Sequence, residues 1–221
     1  MMRICTIILL FISSNVYSAT IQYTGIITEF SGSTSSSSLA EGVEIGDIVV
    51  GRFSYDSSNI ADSNDWDAVG WYSFDDQNSD YSLSILDTSS ENNLLHHVEG
   101  HLSYILIEDN WQYKPNPDRY PTIDAYTPVA LLDNGSEVYF RLQNRDTDLD
   151  LITSDELPDY PMNFNNYNHV SGSITLYNSI GQIEFTPTSV TVVPILPAFA
   201  LLLSSLTMLA CFRRTKIKTG V

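Results

Sequence analysis

The chain has 221 residues and sets 27 acidic side chains against 10 basic ones, for a formal charge of -17. So acidic a surface repels nucleic acid and anionic lipid and attracts cations, which excludes a nucleic-acid partner from the reading. Its two cysteines, Cys5 and Cys211, stand near the ends and leave the body without a disulfide framework, so folding must rest on a core or on bound ions.

The opening MMRICTIILLFISSNVYSA has one early positive charge at Arg3, an apolar stretch from Ile4 to Phe11, and small residues at Val16 and Ser18. That is the layout of a secretory signal peptide cut after Ser18, so residues 1–18 are read as a signal helix outside the fold. Residues 19–192 follow as one exported domain, long enough to bury its own core. All 27 acidic residues lie between Glu29 and Glu184, where only Arg52, Lys114, Arg119, Arg141 and Arg145 oppose them, so this part carries -22.

Within the domain the periodicity is that of strands. TIQYTGIITEF alternates around Ile21, Tyr23 and Gly25, GDIVVGRFSYD is β-branched and aromatic, and DYSLSILD sets Tyr81, Leu83 and Ile85 on one face. Further strands are expected at HLSYILIED, VALLD, SEVYFRLQ, SGSITLY and GQIEFTP. In ALLDNGSEVYFRL, Asp133-Asn134-Gly135 separates two apolar runs, and Asn-Gly supplies the positive φ angles of a tight hairpin turn. The intervening segments have loop chemistry: SGSTSSSSLAEG is Ser-rich, YDSSNIADSNDWDAVG is acidic, and YKPNPDRYPTIDAYTP has prolines that bar a central strand. Many short strands with frequent turns and no long helical repeat predict an all-β domain, an antiparallel β-sandwich or jelly roll.

Three patterns in the domain bear on chemistry. In HHVEGH, His97, Glu99 and His101 project from one face of a strand, a set of zinc-type ligands, although the plainer reading is a solvent-facing polar strand face. In NRDTDLDLITSDELPD, Asp146, Asp148 and Asp150 alternate ahead of Asp155, and clustered carboxylates suit Ca²⁺; Asp62, Asp65 and Asp67 repeat the pattern more weakly. Leu151 and Leu157 stand where an EF-hand-like loop needs Gly and Glu, so the plainer reading is a solvated acidic loop with no cofactor. Aromatics form the third pattern: Trp66 and Trp71 in one stretch, Trp111 and Tyr113 in another, flat rings that would contact sugar faces if held open on a loop.

No Gly-x-Ser-x-Gly elbow surrounds a serine, the domain has no cysteine nucleophile, and no carboxylate pair stands out for glycoside hydrolysis. The expected class is therefore non-enzymatic. At the far end Ile195 to Phe212 has no ionisable side chain and is near the ~18-residue minimum for a transmembrane helix. Arg213, Arg214, Lys216 and Lys218 follow, and the positive-inside rule sets them in the cytoplasm, with the domain across the membrane.

The tail, residues 193–221, resembles the sorting segment of bacterial exported proteins of the PEP-CTERM type, in its Val-Pro-Leu-Pro-Ala variant. Val193, Pro194, Pro197 and Ala198 fit the recognition motif, and Arg213 with Arg214 fit the basic end, although VPILPA is one residue longer than the usual spacing. The stretches GDIVVGRFSYD, SDELPDYPMNF and HVSGSITLY are similar to patterns in the same proteins. The resemblance implies recognition by an exosortase in the inner membrane, removal of the helix, and delivery to the cell envelope or an exopolysaccharide matrix. The alternative is a permanent single-span anchor carrying a glycan-binding or polysaccharide-hydrolysing ectodomain.

Overall fold

The structure, a computed structural model, describes residues 19–55, 60, 69–74, 76, 78–90, 93–111, 123–145, 152 and 166–194. Its strands are β1 (Ala19–Ser31), β2 (Ile48–Tyr55), β3 (Val69–Ser73), β4 (Ser79–Asp87), β5 (Asn93–Trp111), β6 (Ile123–Leu132), β7 (Glu137–Asn144), β8 (His169–Thr175) and β9 (Gln182–Pro194). A 3-10 turn at Ser38–Ala40 lies between β1 and β2. The alternation seen in the sequence is an inside–outside alternation: Val49, Gly51, Phe53 and Tyr55 of β2 are buried while Arg52 is exposed.

The strands pair antiparallel in the order β3-β5-β4-β2-β1-β9-β8-β7-β6, and a further β5–β6 pairing closes the run from β5 to β6 into a ring. Eight strands thus close into a barrel, with β3 attached outside the ring. β5 makes the closure. Its first part pairs with β4 and its later part with β3, while its other edge takes β6. Across the seam between β1 and β9, the hydroxyls of Thr28, Thr188 and Thr191 donate to the carbonyls of Glu184, Thr24 and Gln22.

The all-β, antiparallel expectation is met, but two stacked sheets are not what forms. Sandwich and barrel share the same alternation, and they differ in whether the outermost strands meet, a contact between distant segments that local pattern does not encode. No described helix is long and apolar enough to cross a membrane. The proposed signal segment 1–18 and the apolar run after Pro194 lie outside the described residues.

Side chains fill the lumen. Tyr23 stacks between Phe140, with ring centroids 4.4 Å apart, and Phe185, at 5.8 Å, and all three rings are almost wholly buried. The column needs a gap in the wall, and Gly51, which pairs with Tyr23 in register, provides it: a Cβ there would overlap the Tyr23 ring. The hydroxyls of Tyr23 and Tyr81 hydrogen-bond to each other in the interior. Burial holds both hydroxyls protonated well beyond the ordinary tyrosine range.

Strand order also sorts the connections between two ends. At one end the links are the residues after β1, the turn after β4, and the turns at 133–136 and 176–181. There buried Asp47 accepts from the Glu44 N–H at 2.8 Å and the Thr88 N–H at 3.1 Å, tying two connections together. At the other end β1 begins and β9 finishes, and the strand ends bracketing 56–68, 112–122 and 145–168 lie there too.

Two local expectations need correction. β6 starts at Ile123 and runs through Pro128, inside the stretch read as a proline loop. The ladder to β7 passes from Tyr126↔Leu142 to Val129↔Tyr139, and the interrupted step is where proline has no N–H to donate. The hairpin between β6 and β7 is present, but only Gly135 takes positive φ, at 83°, and Asn134 instead accepts the Ser136 N–H on its side chain. This is a three-residue turn closed by a left-handed glycine, not a two-residue mirror-image turn. Gly135→Val is expected to cost about 1–3 kcal/mol, because a β-branched residue resists that φ. Its new side chain would also meet the Tyr177 ring. Thermal unfolding measures the loss, and an unchanged melting temperature would count against this turn.

Candidate functional site

With the lumen filled, ligand contact falls to the outside of the wall. Register places outward side chains in rows that cross the strands. One row runs Trp71 on β3, Leu106 on β5 and Thr127 on β6, with Arg141 on β7 facing Thr127 by the flanking register. Val69, Glu108, Ala125 and Gln143 form the adjacent row.

The Trp71 ring stacks on Tyr104 with centroids 4.7 Å apart and planes at 26°, and Trp71 remains 40% exposed. An indole backed by a phenol ring in this way is a flat, rigid apolar surface facing solvent. Burial raises the Tyr104 hydroxyl above its usual range, and the negative Glu137 and then the Tyr139 hydroxyl add to the shift.

Beside this platform, Arg141 Nη2 donates to Glu108 Oε2 at 2.5 Å, and Nη1 donates to the Tyr139 hydroxyl at 3.1 Å. Glu108 is 5% exposed, and burial pushes its carboxyl above the usual range even though Arg141 pulls the other way. Loss of water at the carboxyl thus works against the charged pair, and the guanidinium offsets only part of it. Behind it, β6 is buried on both faces. Ala125, Thr127 and Val129 on its outer side are fully covered, and neither Thr127 Oγ1 nor Arg141 Nε has a hydrogen-bond partner.

Of the residues singled out for glycan contact, the structure places Trp71 on this platform and ends β5 at Trp111, paired with Ile123. Trp66 and Tyr113 lie outside the described residues, as do Asp146, Asp148, Asp150 and Asp155 and the weaker Asp62, Asp65 and Asp67. His97 and Glu99 do share a face, with Nε2 and Oε1 2.7 Å apart. Among the described residues, however, no three His, Cys, Asp or Glu side chains gather as metal ligands, and His101 is not drawn into a set. Val193 and Pro194 finish β9, and Pro197, Ala198, Arg213 and Arg214 lie outside the described residues. Sequence reading missed Tyr104, Glu108, Tyr139 and Arg141. The alternation of HLSYILIED does set Tyr104, Leu106 and Glu108 on one face, and that was the available signal.

No family model matches the chain, and neither a curated protein nor a solved structure shows significant similarity to it.

Proposed function

We propose that this is an exported surface or matrix protein whose barrel contacts polysaccharide, without turning it over, through the platform of Trp71 and Tyr104. A signal peptide over residues 1–18 exports it. The segment 193–221 then holds it in the inner membrane with a cytoplasmic C-terminus until an exosortase-type enzyme, reading Val193, Pro194, Pro197 and Ala198, releases it to the envelope or matrix. The observation that carries the binding role is the stacked, part-exposed Trp71 on the outside of a barrel whose inside is full. Pyranose rings present apolar C–H faces that match such a surface, and a domain of charge -22 suits a neutral polysaccharide better than an anionic one. Its contact face supplies binding and requires no metal; Ca²⁺ on the acidic loops stays a separate proposal.

One experiment in the native host tests both parts. The full chain, a Pro194→Ala/Pro197→Ala variant and a Trp71→Ala variant are followed by blot through inner-membrane, surface and medium fractions. Wild type is expected at reduced size in the matrix fraction, and the double-proline variant at full length in the inner membrane. Trp71→Ala is expected to be processed normally but held by purified matrix polysaccharide roughly tenfold less tightly, which corresponds to about 1.4 kcal/mol of lost stacking. Identical sizes for wild type and the proline variant would leave a permanent single-span anchor as the reading. Equal retention of the Trp71 variant would overturn the contact face.

A further inference from the structure

We propose that a different sector of the wall, across β2, β4 and β5, carries a hydrolytic centre made of Ser84, His97 and Glu99, acting on neutral esters of medium-length aliphatic acids with polar alcohols. It is independent of the platform and adds an activity to the binding role.

Three side chains from two paired strands form one hydrogen-bonded chain. Ser84 pairs with His97 in register, and Ser84 Oγ lies 2.9 Å from His97 Nδ1 while His97 Nε2 lies 2.7 Å from Glu99 Oε1. The carboxylate can only accept, so Nε2 carries the ring proton of the neutral imidazole. Nδ1 then presents its lone pair to the Ser84 hydroxyl, the arrangement a general base needs to activate a nucleophile. The ring nitrogens have exchanged the places they hold in the chymotrypsin arrangement, but the roles are complete.

The surroundings choose the substrate. The row on one side of Ser84 is Ile26, Ile48, Leu86 and Leu94, four aliphatic side chains in direct cross-strand pairing, with Ile26 and Leu94 exposed. The row on the other side is Gln22, Arg52, Ser82 and Glu99. There a depression of about 250 Å³ is lined by Arg52, Ser54, Asp80, Ser82 and Glu99 among others. An ester laid across Ser84 would put its acyl chain on the aliphatic row and its alcohol in the polar depression. Arg52 sits diagonal to Ser84 across β2 and β4, a separation of ~7–8 Å between backbone positions that a long side chain spans. Its guanidinium would offer positive charge to the oxyanion.

The reaction closes without further reactants. Ser84 Oγ attacks the carbonyl carbon as its proton passes to His97 Nδ1, and the alcohol leaves with that proton, giving an acyl-Ser84 ester. Water then attacks the acyl carbon, passes a proton to Nδ1, and expels Ser84, which recovers that proton as the carboxylic acid departs. Glu99 is a positioning residue that fixes the tautomer and stabilises the imidazolium.

The test uses the purified full-length chain in detergent with 4-nitrophenyl octanoate and acetate. Wild type is expected to hydrolyse the octanoate, and Ser84→Ala and His97→Gln to lower kcat/KM about a hundredfold or more. Leu86→Ser should raise KM for octanoate more than for acetate, and Glu99→Gln should lower kcat for both esters with little change in KM, Glu99→Asp recovering part of the loss. A fluorophosphonate followed by peptide mass spectrometry should modify Ser84 in wild type and not in His97→Gln. Wild-type turnover no faster than that of Ser84→Ala, or an unmodified Ser84, would overturn the assignment.

Discussion

Tyr23→Ala is expected to cost about 3–5 kcal/mol, the usual loss for emptying a ring from a packed core. At roughly 2–4 °C per kcal/mol for a domain of this size, the melting temperature should fall by about 6–20 °C. The reason is position. Tyr23 is the middle ring of the lumen column, so its removal strips contacts from Phe140 and Phe185 together. It also leaves the buried Tyr81 hydroxyl without its partner. Tyr23→Phe keeps the ring and separates the two effects, with an expected loss of about 1–3 kcal/mol for one unsatisfied hydroxyl. Like the buried Tyr126 and Tyr167, the pair also contributes to the alkaline limit. A tyrosine titrates near 10 when unfolded, and burial raises both of these in the fold. Their contribution is therefore complete below about pH 10 and is lost as pH rises toward the raised folded values. Tyr23→Ala melting within 2 °C of wild type (about 1 kcal/mol or less) would show that the column does not hold the barrel together.

How far the sequence discloses this molecule depends on the range of the interaction involved. The β2 and β4 strands were legible because inward Val49, Phe53, Tyr81 and Leu83 alternate with outward polar residues, and the β6–β7 hairpin because Gly135 marks its own turn. Barrel closure was not, because it rests on β5 meeting β6 on one edge while β4 and β3 share the other. Even β6 itself was masked by Pro128, whose missing N–H argues against a strand until a gap in the neighbouring ladder admits it. The same division applies to the sites. Trp71 was visible as an aromatic, but Tyr104, which makes it a platform, belongs to another strand. His97 and Glu99 were visible as neighbours on one face, but Ser84 joins them only through the pairing of β4 with β5.

Arg141→Met should be the other severe change, and its dependence on pH identifies the cause. The substitution keeps most of the aliphatic volume but leaves the Glu108 carboxylate, with a side chain only 7% exposed, facing no cation. Breaking a buried pair in this way costs about 3–5 kcal/mol at neutral pH. Glu108 is raised by burial in the intact protein, and losing Arg141 removes the one opposing influence, so its carboxyl should rise further. A carboxyl whose folded pKa exceeds its unfolded value favours the fold below the unfolded value, near 4.5, and loses that contribution as pH rises through the folded value. The deficit of Arg141→Met should accordingly be large at pH 7.5 and shrink on acidification toward pH 4.5, where a protonated Glu108 needs no counter-ion. Urea unfolding at the two pH values measures it, and Glu108→Gln/Arg141→Met should recover most of the loss at pH 7.5 by removing the buried charge altogether. A deficit equal at both pH values would mean that Arg141 acts through packing against Tyr139 and the outer face of β6. The ion pair would then have no part in holding rigid the wall on which Trp71 and Tyr104 are mounted.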